Sequence, residues 1–85
     1  MIPNPLKPIT IIIVDDHRLV RTGLARMIGD EIDMCIIAEA ATGEEAIQMC
    51  ETQLPDIVLL AQEMAGSVLK RFGIALESEV RLIWT

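Results

Sequence analysis

Aromatic residues are nearly missing from this chain, with one Phe, one Trp and no Tyr in 85 residues. A core built without large rings must be aliphatic, and a 52% hydrophobic content rich in Ile, Leu, Val, Ala and Met can supply it. Such a content excludes a disordered chain. Bases are also few. Seven Lys and Arg stand against thirteen Asp and Glu, a net charge of −6, and they are scattered instead of gathered, which argues against direct nucleic-acid binding by this segment. Only two cysteines occur, Cys35 and Cys50. They fall within an expected strand and an expected helix, and no His/Cys cluster has zinc spacing, so two buried, reduced thiols are expected. No apolar run approaches a membrane span. None near the N-terminus resembles a signal peptide, because the longest early run ends in Asp15-Asp16. The expected location is therefore cytoplasmic, without a membrane partner. No internal repeat, linker or second domain is expected within these residues, and the length suits one small domain.

What is present centres on residues 9–17, Ile-Thr-Ile-Ile-Ile-Val-Asp-Asp-His. A β-branched run without polar alternation reads as a strand buried on both faces, as in the middle of a parallel sheet. It ends in two adjacent acids where a helical pattern begins, and open α/β sheets bind ligands outside the carboxyl ends of their strands. Adjacent carboxylates repel unless something positive lies between them, and Mg²⁺ is a cation that takes such oxygen ligands. The plainer alternative is that one Asp caps the next helix and the other is solvated.

The lead-in at 1–8, with three prolines, should be irregular. A strand at Ile9 to Val14 follows. Leu19, Val20, Gly23, Leu24, Met27 and Ile28 then recur at three- and four-residue steps, the stripe of an amphipathic helix, with Arg18, Arg21 and Arg26 off the stripe as a solvated cationic face. Met34 to Ala38 reads as a second strand. Thr42 stands ahead of Glu44 and Glu45 as a helix start. Ala46, Ile47, Cys50 and Leu54 supply that helix's inner face, and Pro55 stops it. Asp56 to Ala61 is a third buried strand. Beyond it, Val68, Leu69, Phe72 and Leu76 suggest a short helix interrupted by Gly73, which costs about 1 kcal/mol relative to Ala, and Val80 to Trp84 a fourth strand. This alternation argues for right-handed βαβ units.

Three stretches in this order resemble a known family. Ile-Ile-Val-Asp-Asp-His-Arg-Leu-Val-Arg-Thr-Gly at 12–23, Ala-Thr-Gly-Glu-Glu-Ala at 41–46 and Pro-Asp-Ile-Val-Leu-Leu at 55–60 are similar to the signposts of the bacterial two-component receiver domain. The Asp-Asp-His form followed by Leu-Val-Arg-Thr-Gly is most similar to the subfamily with a LuxR-type helix-turn-helix, and within it to GacA/UvrY-type regulators. The resemblance implies a flavodoxin-like (CheY-like) α/β fold with strand order 2-1-3-4-5 and helices on both faces. It also implies a sensor histidine kinase as partner and Mg²⁺ as cofactor. Residues 9–85 would be a partial receiver domain, truncated after the fourth strand.

By the same resemblance, Asp15 and Asp16 match the acidic pair that holds Mg²⁺, with Asp16 the more direct ligand. Glu63 would offer its backbone carbonyl to the metal, and Thr85 falls at the switch hydroxyl. The phosphoacceptor position is occupied by Ala61, which can neither form an acyl phosphate nor ligate a cation, so Mg²⁺ binding should be weak or lost. Met64-Ala65-Gly66 stands where Met-Pro-Gly is usual. The fifth strand with its lysine, the last helices and the DNA-binding output domain are not found.

Two readings follow for a chain that cannot be phosphorylated at the usual position. It is either a receiver-type module that engages partners constitutively or a remnant without a role. A small Mg²⁺-dependent phosphoryl-transfer enzyme using Asp15 or Asp16 is the contrasting alternative. Against it, there is no Gly-rich phosphate loop, no lysine near an expected strand end, and His17 stands alone. A fourth strand without an outer neighbour would be an exposed edge, so homo-oligomerisation through it is expected.

Overall fold

The computed structural model describes residues 7–61 and 81–84. Glu63, Thr85, the expected helix through Val68 to Leu76 and most of the lead-in at 1–8 lie outside the described residues.

The elements run β1 (Ile9–Val14), α1 (Arg18–Gly29), β2 (Met34–Ala40), α2 (Gly43–Gln53), β3 (Ile57–Leu60) and β4 (Arg81–Trp84). The strands form a parallel sheet of order β2-β1-β3-β4. The chain steps from β1 out to β2 and then back across β1 to β3. Right-handed crossovers in opposite directions put α1 and α2 on opposite faces of the sheet. This is the flavodoxin-like arrangement.

Its centre is β1. Ile12, Ile13 and Val14 are fully buried and Ile11 nearly so, and burying a side chain of this size stabilises the fold by roughly 1.5–3 kcal/mol. Alternation along the strand turns Ile12 and Val14 to one face. There they join Ala40, Ala46, Cys50, Val58 and Leu60 beneath α2. Ile11 and Ile13 turn to the other face, on the side of α1.

Helix α2 starts as its sequence dictates. Thr42 is extended, and its Oγ1 accepts the Glu45 N–H at 3.2 Å. The helix ends at Gln53, with Leu54 in the left-handed region at φ 48° and its N–H on the Cys50 carbonyl. That conformation swings Leu54 outward, so it is exposed instead of lying on the inner face. Pro55, just beyond, is buried.

Three other expectations need correction. Strand β2 continues through Glu39 and Ala40 instead of stopping at Ala38. It does so past a register shift that pairs Ile11 with Ile36 but Ile12 with Ala38, leaving Ile37 as an extra residue. Cys35 is exposed because β2 is an edge strand, while Cys50 is buried as expected. On α1 the arc nearest the sheet is centred on Leu24, Ala25 and Ile28, which are half-buried; Leu19, Val20 and Met27 sit at its margin and are exposed.

Candidate functional site

The carboxyl end of β1 is held from both sides. The Asp15 N–H donates to the Ala40 carbonyl of β2 at 3.0 Å, and the Ala61 N–H donates to the Val14 carbonyl at 2.9 Å. The in-register pairing of Val14 with Leu60 sets Asp15 and Ala61 at neighbouring strand ends. The extension of β2 to Ala40 supplies the acceptor on the other side.

Asp15 and Asp16 then diverge. Asp15 is buried, with 5% of its side chain exposed, whereas the Asp16 side chain is 57% exposed. Asp15 Oδ1 accepts the His17 backbone N–H at 2.8 Å, an Asx-type turn that leads into α1. His17 itself is the N-cap residue of α1 and makes no side-chain capping bond. Its ring lies over the acids instead, with Nδ1 at 3.0 Å from Oδ1 of Asp15 and 3.0 Å from Oδ1 of Asp16. The three residues form a group whose ligand atoms all lie within 4.8 Å of one another. Asp15 thus leads into the helix without being its N-cap, and neither acid caps α1 with its side chain.

Arg21, one turn into α1, is not part of a solvated cationic face. Its side chain is only 17% exposed. Nη1 donates to the Asp15 backbone carbonyl at 2.6 Å, and Nε stands 3.6 Å from Glu39 Oε1 on β2. Arg18 and Arg26 are exposed as expected.

Ala61 is buried at 6% exposure, and its methyl side chain carries no oxygen for a metal or a phosphoryl group. Glu63 and Thr85 lie outside the described residues, so the geometry assembles Asp15, Asp16 and Ala61 from the expected set. It adds His17, Arg21 and Glu39. Nothing local sets Arg21 apart from Arg18 and Arg26. Nothing local marks Glu39, whose proximity comes from the sheet order.

Comparison with known proteins gives a consistent picture. The description "Response regulator receiver domain" matches residues 11–81. The nitrate/nitrite response regulator protein NarL of Escherichia coli K12 is 38% identical over 60 residues, which are 71% of this chain and 28% of that protein. The response regulator UvrY of the same strain is 40% identical over 58 residues, 68% of this chain and 27% of that protein. The chain therefore matches little more than a quarter of the length of these relatives. Among solved structures, one of the P1 domain of CheA3 in complex with CheY6 from R. sphaeroides aligns with a TM-score of 0.79 at 27% identity, covering 92% of this chain and 63% of that one.

Proposed function

Because this chain belongs to the response regulator receiver domain family, we propose that it is a two-component receiver module of the NarL/UvrY type that is not phosphorylated at the usual position. Receiver domains are signalling modules, not classical enzymes. One observation carries the reading: the residue that follows β3, hydrogen-bonded through its N–H to the end of β1, is the buried Ala61. Acyl-phosphate formation needs a carboxylate nucleophile there, and among the described residues no neighbouring group substitutes for one. Asp15 accepts the His17 N–H, and the largely exposed Asp16 has its Oδ1 3.0 Å from the His17 ring.

Magnesium, the cation that the family implies, does not fit this donor set. It requires near-ideal octahedral oxygen coordination. Position 61 offers no side-chain oxygen, and an imidazole nitrogen stands between the two carboxylates. Weak or lost Mg²⁺ binding is the reading adopted here.

The partner in this reading is a sensor histidine kinase or its phosphotransfer domain, supported by the similarity to a structure that pairs the P1 domain of CheA3 with CheY6. Binding would be constitutive, because no phosphoryl group alters the surface. Its acidic balance, −6 over the chain, argues against direct binding of nucleic acid by these residues. No helix among the described residues is long and apolar enough to cross a membrane. Strand β4 and strand β2 are the edges of the described sheet, and self-association through β4 is part of the proposal.

The test is incubation with acetyl phosphate and with a phosphorylated histidine phosphotransfer domain, followed by intact-mass spectrometry. No phosphoryl adduct is expected on the natural chain. A labile adduct mapped to Asp15 or Asp16 would refute the reading. Ala61→Asp restores a carboxylate at the strand end and should raise Mg²⁺ affinity.

A further inference from the structure

The two faces of the sheet are covered unequally. By strand register, Ile57 and Leu59 of β3 and Ile83 of β4 lie on the face that carries Ile11 and Ile13, the side of α1. Val58 and Leu60, turned the other way, are fully buried. Ile57 and Leu59 are only half-buried, and Ile83 is 44% exposed. Among the described elements α1 alone lies on this side, and it sits over β2 and β1. An apolar floor is therefore left open beside the helix.

The wall of that recess is apolar as well. Arg21 reaches toward Glu39 of β2, which fixes the roll of α1 about its axis. Val20 and Met27 lie about 100–120° round the helix from Arg21, and this turns them the opposite way, toward β3. They are 45% and 70% exposed. Leu19, on the crest of the helix away from its own sheet, is 87% exposed. Helix α1 carries no acid, although the chain has thirteen.

We infer that this recess takes a second copy of the chain, with the two α1 helices side by side between two sheets. A two-fold axis parallel to the strands achieves this arrangement. Each α1 enters the recess of the other copy, and Val20 and Met27 meet their equivalents along parallel helices. Each Leu19 then reaches the floor formed by Leu59 and Ile83 of the second copy. The floor spans two strands, about 10 Å, which is the width of a helix. A ridge beside a recess of its own width is the self-complementary shape that a two-fold contact requires.

Area and charge support the same occupant. Leu19, Val20, Met27 and Ile83 together expose on the order of 300 Å² of apolar surface, enough for the core of a contact of about 800 Å² per copy. Arg18 and Arg26, exposed on the rim of α1, approach a second copy whose net charge is −6. This surface is separate from the β4 edge, and its use is independent of whether position 61 accepts a phosphoryl group.

Sedimentation equilibrium of the full chain, from micromolar to millimolar concentration, provides the test. The natural chain should associate and saturate at a dimer. Leu19→Glu and Met27→Glu, both at exposed positions, should each weaken dimerisation at least about tenfold with the circular dichroism of the chain unchanged. In a Cys35→Ser background, Val20→Cys should cross-link pairs of chains on mild oxidation, because parallel helices bring the two thiols together. Thr52→Cys, on the opposite side of the sheet, should not. A monomer at millimolar concentration, growth past the dimer, or equal cross-linking of Val20→Cys and Thr52→Cys would each overturn the inference. Dimers unaffected by Leu19→Glu and Met27→Glu would overturn it too, while leaving association through the β4 edge standing. If the glutamate variants do not fold, the Val20→Cys cross-link decides, and its absence refutes the arrangement.

Discussion

Arg21 Nη1 donates to the backbone carbonyl of Asp15 at 2.6 Å, so the first turn of α1 is fastened to the end of the central strand by a residue six positions further on. The guanidinium also leans toward Glu39 on β2 at 3.6 Å. One side chain thus links the three elements that converge at the acid pair.

Arg21→Met keeps the apolar stem and removes both interactions. A charged donor on a partly buried carbonyl contributes about 1.5–3 kcal/mol before the solvation of the free arginine is regained, so a loss of about 1–2 kcal/mol is expected. Urea unfolding should show a lower midpoint with an unchanged slope. A variant as stable as the natural chain would show that the bond contributes nothing. Glu39→Gln should cost far less, because its partner is distant and its side chain is 41% exposed.

Gly23 lies inside α1, and a Cβ built there meets nothing within 4 Å. Its helical backbone needs no glycine. Gly23→Ala should therefore stabilise the chain by about 0.5–1 kcal/mol through the restricted unfolded state, read as a rise in the urea midpoint. A decrease would mean that another group packs against this position.

Leu54 closes α2 in the left-handed region at φ 48°, where a side chain is strained, and its own side chain is 67% exposed. Glycine relieves the strain at little cost in buried surface. Leu54→Gly is expected to stabilise by about 0.5–1 kcal/mol, and Leu54→Val, branched at Cβ, to destabilise by a similar amount. Thermal unfolding of the two variants should move in opposite directions.

The two thiols should behave differently. Cys35 is exposed, whereas Cys50 is fully buried under α2. Burial, with Glu51 nearby as a smaller contribution, pushes the Cys50 thiol up to about 11. Iodoacetamide at neutral pH should alkylate Cys35 rapidly and Cys50 only on unfolding. The folded-state value lies above the unfolded one, so the stability attached to the neutral thiol is fully present below the ordinary thiol range. It is lost as pH rises toward 11. Cys50→Ala should flatten that decline in denaturation curves between about pH 9 and 11. An identical decline in the variant would assign it to other groups.

Much of this architecture was legible in the chain itself. The unbroken β-branched run of Ile11 to Val14 could only be a doubly covered strand, and Thr42 before Glu44 and Glu45 marked the start of α2 by satisfying free N–H groups. These signals are local, because capping and strand preference act between residues a few positions apart. The alternation of strands and helices then restricted the topology through the handedness of the crossovers. The Asp15-Asp16 pair at the end of β1 was also plain from order and spacing, whereas only the resemblance to receiver domains put Ala61 at the phosphoacceptor position.

What tertiary structure decided was which side of each residue meets a neighbour. Periodicity drew a broad apolar stripe on α1, but only the arc around Leu24 and Ile28 approaches the sheet; Leu19 and Met27 stay in water because a cylinder touches a sheet along a narrow line. Cys35 and Cys50 carried the same local signal and separated only because β2 is an edge strand while α2 covers the core. Arg21 was indistinguishable in sequence from Arg18 and Arg26. It became part of the site because the β2-β1-β3 order brings Glu39 and the Asp15 carbonyl within its reach. Composition and spacing determine which groups can interact, but long-range strand order determines which of them meet.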